Sequence, residues 1–261
     1  ALSKPSLAMV GTREMSPTGQ TVCNRLVEGL SKRVSNISIV SGLAYGVDIT
    51  AHQAALRLGL ETVGVMATGL DTIYPSFHKR IAQQMVEQGG LVSDFPVRTS
   101  PVAINFIRRN RIIAGLSDAT VLVESRVDGG GVITSKMASS YDREVFAVPG
   151  RVDDDLSAGC NLLIKENSAE MVTGRNSIRG SLGWKNIIKD REIRSKFLTF
   201  ESDNLFKKKI ISVLYRDQRA NVDDLIDKTG ICRGDVVLNL TELELEGRVE
   251  SDLIGRYMLK R

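Results

Sequence analysis

Six short apolar runs recur along the first two thirds of the chain, and each is separated from the next by a stretch with helical spacing. The runs are Leu7–Val10, Ile37–Ser41, Thr62–Ala67, Leu91–Asp94, Thr120–Glu124 and Val145–Val148. Between them, Thr18–Val34, Val47–Leu58, Phe77–Gln88, Ile104–Leu116 and Ile133–Tyr141 place apolar residues three and four apart, on one face of a helix. Strands alternating with helices pair in parallel and are buried on both faces. The expected fold class is α/β: an extended Rossmann-like, doubly wound, mostly parallel sheet over residues 1–175. Over residues 176–204 the rhythm stops, and apart from Trp184, Ile187, Ile188 and Phe197 the stretch is polar and charged, which reads as a linker. From Leu205 the pattern restarts with helices expected at Lys207–Tyr215, Val222–Lys228 and Arg233–Glu246 and a hairpin around Leu253–Tyr257. Three helices and a hairpin over 205–261 predict a small winged-helix domain.

Composition excludes several classes. With 261 residues, 42% hydrophobic and 25% charged, the chain can bury a sizeable core. No stretch approaches the ~20 apolar residues of a membrane span, and Ala1–Pro17 lacks the order of a signal peptide. A cytoplasmic protein with no membrane partner is expected. The chain opens on Ala rather than Met, so a preceding segment in a longer protein is also expected. Cys23, Cys160 and Cys232 are isolated, which suggests packing rather than disulfides or a metal site. The net charge is +4, but residues 1–175 carry 18 Lys and Arg against 17 Asp and Glu, so a nucleic-acid reading must rest on a local cluster.

In a doubly wound sheet, ligands gather at the C-terminal ends of the strands, where helix N-termini offer free N–H groups. The first strand ends in Gly11-Thr12-Arg13, and Ser16-Pro17-Thr18-Gly19 then opens a helix. That turn suits one phosphate or, equally, a plain N-cap beside an exposed arginine. The second strand ends in Ser41-Gly42 and continues to Asp48 and His52. It lacks the GxGxxG spacing, and no acid follows to hold a ribose, so NAD is disfavoured and no cofactor is expected. Asp48 and His52 read as structural. The fifth strand leads to Gly129-Gly130-Gly131, followed by Thr134 and Lys136, a backbone open to close approach or a flexible loop.

Between the fourth and fifth strands, Phe106 precedes Arg108, Arg109, Asn110 and Arg111 at the entry to a helix. Guanidinium forks beside an aromatic face suit the phosphates and bases of a single strand. Arg108 and Arg111 share a face at i,i+3, while Arg109 and Asn110 rotate away, so at least one of the group is expected to bond internally. Phe106 is as compatible with the core as with a stacking platform.

These residues, with Tyr74-Pro75, Ile112 through Ser117, Val145 through Gly150 and Gly159 through Ile164, resemble the DNA-processing protein A (DprA, or Smf) family. The resemblance spans about Leu7 to Val172 in the family's order. It implies a homodimeric Rossmann-like protein without catalysis that binds single-stranded DNA and loads RecA recombinase onto it during natural transformation. It also implies DNA contacts at Arg13, Arg109 and Arg111. Thr12 stands where Ser is commoner, Ala103 where members carry a basic contact, and Gly129 through Ser135 loses serine hydroxyls. The helical domain that often precedes the Rossmann domain has no counterpart in the chain. A rival resemblance, to LOG-type phosphoribohydrolases, needs a carboxylate at the position held by Met137. A sequence-specific regulator is disfavoured because the recognition-helix candidate Arg233–Glu246 is net acidic. The expected nucleic-acid site is Gly11, Thr12, Arg13, Ser41 and Gly42, with Phe106 and Arg108 through Arg111, and with Gly130, Gly131, Thr134 and Lys136. Phosphates are expected on the N–H groups after Gly11, Gly42 and Gly130, with Arg13, Arg108 and Arg111 neutralising charge.

Overall fold

A computed structural model describes residues 4–34, 36–174, 177–184, 204–252 and 255–260. Its contacts divide the chain into two compact units, residues 1–188 and 189–261.

The first unit is built on seven strands: β1 (Ser6–Val10), β2 (Ser38–Ser41), β3 (Glu61–Val65), β4 (Gly90–Val92), β5 (Ala119–Leu122), β6 (Glu144–Ala147) and β7 (Glu170–Met171). All pair in parallel, in the order β4-β3-β2-β1-β5-β6-β7. The order reverses between β1 and β5, which run side by side with Val10 opposite Leu122. Residues along β1 alternate between two cores. Leu7 and Met9 pack into one cluster with Val27 and Ile39, while Ala8 and Val10 pack into another with Val63 and Leu163. The sheet is therefore covered on both faces, as a near-continuous apolar strand requires.

The crossover helices are α1 (Pro17–Ser31), α2 (Val47–Arg57), α3 (Lys79–Gln88), α4 (Ala103–Leu116), α5 (Gly130–Ser140) and α6 (Asp155–Lys165), with a short 3₁₀ turn at Ser76–His78. All six predicted strands and five predicted helices are present. The structure adds β7 and α6, which the sequence reading lacked. α6 begins on Asp154, whose carboxylate accepts from the Leu156 amide at 3.0 Å. Cys23 and Cys160 are buried in the two cores, and burial pushes both thiols up to about 12, which makes them packing residues.

The predicted linker needs correction at its start. Helix α7 (Ser177–Ser181) buries Ile178 in the first core, with Leu182 and Trp184 packed against it, so residues 177–184 belong to the first unit. Ile187, Ile188 and Phe197 lie outside the described residues.

The second unit holds α8 (Leu205–Asp217), α9 (Val222–Thr229) and α10 (Arg233–Leu245), then the antiparallel strands β8 (Val249–Ser251) and β9 (Tyr257–Leu259). Asn221 and Asp224 cap α9 reciprocally, and Gly230 ends it at φ +67°. Ile210, Leu214, Leu225, Val236, Leu240 and Leu243 form its core. This is a winged helix. Of the predicted hairpin, Leu253 and Ile254 lie outside the described residues.

Candidate nucleic-acid site

The reversal of strand order between β1 and β5 opens a crevice at their C-terminal ends, where a doubly wound sheet binds ligands. A cavity of about 360 Å³ lies there. β1 contributes Val10, the loop after it Gly11 and Arg13, and the loop before α2 Ala44. α4 supplies Phe106, Arg109 and Asn110, and α5 supplies Gly130, Gly131 and Thr134. Among the described residues, no acidic side chain lines it.

Arg13 and Phe106 meet at the cavity. The Arg13 guanidinium sits 5.2 Å from the centroid of the Phe106 ring, and Tyr74 meets the same ring edge-on at 5.7 Å. Arg13 is exposed, whereas a half-buried Phe106 presents an aromatic surface to the cavity.

The start of α5 carries no side-chain cap. Its N-cap residue is Gly129, and the Gly130 and Gly131 amides have no carbonyl one turn earlier to bond. A Cβ on Gly130 would meet nothing within 4 Å, so the space above it is free. On Gly131 it would lie 2.6 Å from Leu122 Cδ1 and 3.0 Å from Gly11 Cα, so that glycine lets α5 approach β1. The Thr134 hydroxyl donates to the Gly130 carbonyl at 2.9 Å.

Two of the three expected phosphate turns are already used internally. The Thr12 amide, directly after Gly11, donates to the Glu124 carbonyl at 2.7 Å. The Glu124 carboxylate then occupies the N-terminus of α1, accepting from the Ser16 amide at 2.9 Å and from its hydroxyl at 2.5 Å. A buried carboxylate therefore stands where the Ser16–Gly19 turn had suggested a phosphate. In the turn after Gly42, the Ala44 amide donates to Asp48 at 3.2 Å, and the Ser41 hydroxyl donates to the Met9 carbonyl at 2.6 Å.

The arginine cluster also divides. Arg109 is 5% exposed and is held by the Val65 carbonyl, the Asn110 side chain at 3.1 Å and Asp48 at 3.4 Å. Burial draws its guanidinium below the usual arginine range, and Asp48 opposes that shift. It is a structural ion pair at the cavity wall rather than the free phosphate fork expected. Gly42 makes this possible, because any Cβ there would collide with the guanidinium. Arg108 and Arg111 are exposed and do not line the cavity, and neither does Lys136. Arg111 pairs with Asp94.

His52 is fully buried between the Gly42 carbonyl and the Thr62 hydroxyl, 2.7 Å from Nδ1, and burial lowers it to about 4. With Asp48 it is structural, and neither lines the cavity. The sequence reading did not place Tyr74 or Ala44 in the site. Tyr74 could have been found from its position beyond the end of β3, on the same edge of the sheet. Among the described residues, no cluster of His, Cys, Asp and Glu could hold a metal, and no helix is long and apolar enough to cross a membrane.

A doubly wound parallel sheet with a cationic, aromatic cavity at its switch point, followed along the chain by a winged helix, defines the class: a Rossmann-like α/β protein with a second, small domain. Comparison with known proteins resolves the class further. Residues 1–183 match the family model described as DNA recombination-mediator protein A. Protein Smf of Escherichia coli is 36% identical over the whole chain and 70% of its own length, and Smf of Synechocystis sp. is 34% identical over 97% of the chain and 70% of its own. The X-ray structure of DNA processing protein A from Streptococcus pneumoniae superposes with a TM-score of 0.63 at 38% identity, over 69% of this chain and 62% of that one. DNA processing protein A from Helicobacter pylori, described for its single-stranded DNA binding mode, gives 0.63 at 27% identity, over 69% and 80%. The chain belongs to the DprA/Smf family.

Proposed function

We propose that this chain binds single-stranded DNA without sequence preference and loads RecA recombinase onto it during natural transformation, as a homodimer acting in the cytoplasm and without catalysis of its own. One observation carries the reading. Arg13, the Phe106 ring and the uncapped start of α5 converge on one cavity that, among the described residues, no acid lines. A phosphate between Arg13 and the Gly130 and Gly131 amides gains a charge-assisted bond and the helix dipole. A base against Phe106 gains stacking that every base can make. Neither contact reads sequence. Arg109 and Asn110 shape the wall, while Arg108, Arg111 and Lys136 add surface charge outside it. RecA and the second protomer enter through family membership. A homodimer presents two such cavities to one strand, which raises avidity without new contacts.

The phosphoribohydrolase alternative needs a carboxylate at the reacting sugar, yet among the described residues no acid lines the cavity, and Met137 packs with Ala114, Ala138 and Val145. In the second unit, the recognition-helix candidate Arg233–Glu246 carries Asp235, Glu242, Glu244 and Glu246 against Arg233 alone, a charge unsuited to a major groove, so we assign that unit to protein contact.

The test is anisotropy of labelled oligo-dT across a salt series, with duplex competitor and AMP hydrolysis followed in parallel. Binding that prefers the single strand and weakens with salt, without adenine release, is expected. Arg13→Ala should lower both the affinity and the salt slope, the latter by about 0.7 for the lost phosphate. Adenine release without binding would overturn the proposal.

A further inference from the structure

A second cavity lies one helical turn beyond the first. Ile107 lines the first and Arg111 the second, and at i,i+4 on α4 their side chains are neighbours about 6 Å apart. The second cavity is a shallow groove at the far end of α4, completed by Gly115 and Leu116 from that helix and by Tyr141 and Arg143 from the segment joining α5 to β6.

Its chemistry repeats that of the first cavity. Arg143 makes no side-chain hydrogen bond or ion pair among the described residues. Tyr141 is 45% exposed, and its ring lies 4.0 Å from where a Cβ on Gly115 would stand, so the missing side chain leaves the ring face free along α4. Arg111 is held by Asp94 in an exposed pair, the kind that contributes little and trades easily for a phosphate. Among the described residues, no acid lines the groove. Between the two cavities, Arg108 is exposed and shares a face with Arg111 at i,i+3.

We infer that a single strand leaving the first cavity runs along the outer face of α4, past Arg108 and Arg111, and seats a further nucleotide in the groove, with a phosphate on Arg143 and a base on Tyr141. This rests on the single-strand reading and extends it. From Phe106 to Gly115 the helix rises about 13 Å, or roughly four nucleotides at a stacked spacing of 3.4 Å. The groove therefore adds to affinity only for strands long enough to reach it.

The test compares wild type, Arg143→Glu and Arg13→Ala, full chain, on oligo-dT from about 4 to about 20 nucleotides, the range of single-strand site sizes. Sedimentation velocity of each is run alongside. Wild type should gain affinity with length beyond the strand that fills the first cavity. Arg143→Glu should bind the shortest strands like wild type and lose about tenfold on the longest, with a shallower salt slope there. Arg13→Ala should lose affinity at every length. An identical length profile for wild type and Arg143→Glu would overturn the inference and leave the single-strand reading standing. So would a changed oligomeric state in Arg143→Glu, which would make the groove a contact between copies. Absence of binding by wild type at every length would sink both.

Discussion

Glu124, at the end of β5, reaches across to Ser16 and fills the N-terminus of α1 with its carboxylate, 2.9 Å from the Ser16 amide. The Ser16 hydroxyl in turn accepts from the Gly19 amide at 2.9 Å. Gly19 must be glycine here, because a Cβ would lie 2.3 Å from the Glu124 carboxyl carbon. One strand end at the switch point is thus closed by the protein's own anion, and the neighbouring α5 is left as the open one. Ser16→Ala should cost about 1 kcal/mol, the usual price of a lost N-cap. Glu124→Ala should cost about 1–3 kcal/mol through the buried donors left unpaired. Denaturant midpoints measure both. Ser16→Ala should leave oligo-dT affinity unchanged, and a tenfold weakening would return a phosphate to α1.

Arg109→Ala should be a stability variant first. It strands Asp48 in a buried site with its counter-charge gone, a change that costs about 3–5 kcal/mol for a buried pair. Arg109→Lys should recover only part of this, since one ammonium cannot hold the Val65 carbonyl, Asn110 and Asp48 together. Urea unfolding of the three proteins gives the order wild type, Lys, Ala. Equal midpoints would show that the pair carries no stability.

That partition of the arginines marks where the sequence stops being legible. Strands β1 to β6 could be read because each is an apolar run, and the winged helix because its caps and spacing are local. β7 could not, since it is two exposed residues, Glu170 and Met171, with no run to see. α6 was hidden by its small residues: Gly159 lies against the Ser125 and Arg126 carbonyls, where a Cβ would come within 2.7 Å of both oxygens. The strand-end turns were visible too, but their occupancy was not. Arg109 and Asp48 are 61 positions apart, and Glu124 and Ser16 are 108. Which arginine is buried, and which helix start is already filled, depends on partners that only the fold brings together.

His52 should make the first unit sensitive to mild acid. Buried and neutral, it titrates at about 4 in the folded state, against 6.5 unfolded. Its Nε2–H donates to the Gly42 carbonyl, and Nδ1 lies 2.7 Å from the Thr62 hydroxyl, which itself meets the Ile39 carbonyl at 3.0 Å. Between those values the unfolded chain binds more protons, so stability rises with pH in that window and is lost as pH falls from 6.5 toward 4. The loss from pH 7.5 to pH 5 should be roughly 2 kcal/mol. Denaturant midpoints at both pH values, for wild type and His52→Gln, isolate this contribution. An undiminished pH dependence in the variant would assign it to other groups.

Phe106 and Arg13 should separate cleanly in binding experiments, because one supplies a surface and the other a charge. Phe106→Leu keeps an apolar side chain at the half-buried position but removes the ring that carries Arg13 at 5.2 Å and meets Tyr74 at 5.7 Å. A lost base-stacking contact is worth about 1–3 kcal/mol, so affinity for oligo-dT should fall roughly fivefold to 150-fold. The salt slope should stay at its wild-type value, since no phosphate contact is removed. Arg13→Ala should do the reverse on the second axis, lowering the slope along with the affinity. If Phe106→Leu flattens the slope as well, the ring acts mainly by holding Arg13 in place and not by stacking a base. The double variant then distinguishes the cases: additive losses mean two independent contacts, and a loss no larger than that of Arg13→Ala means one.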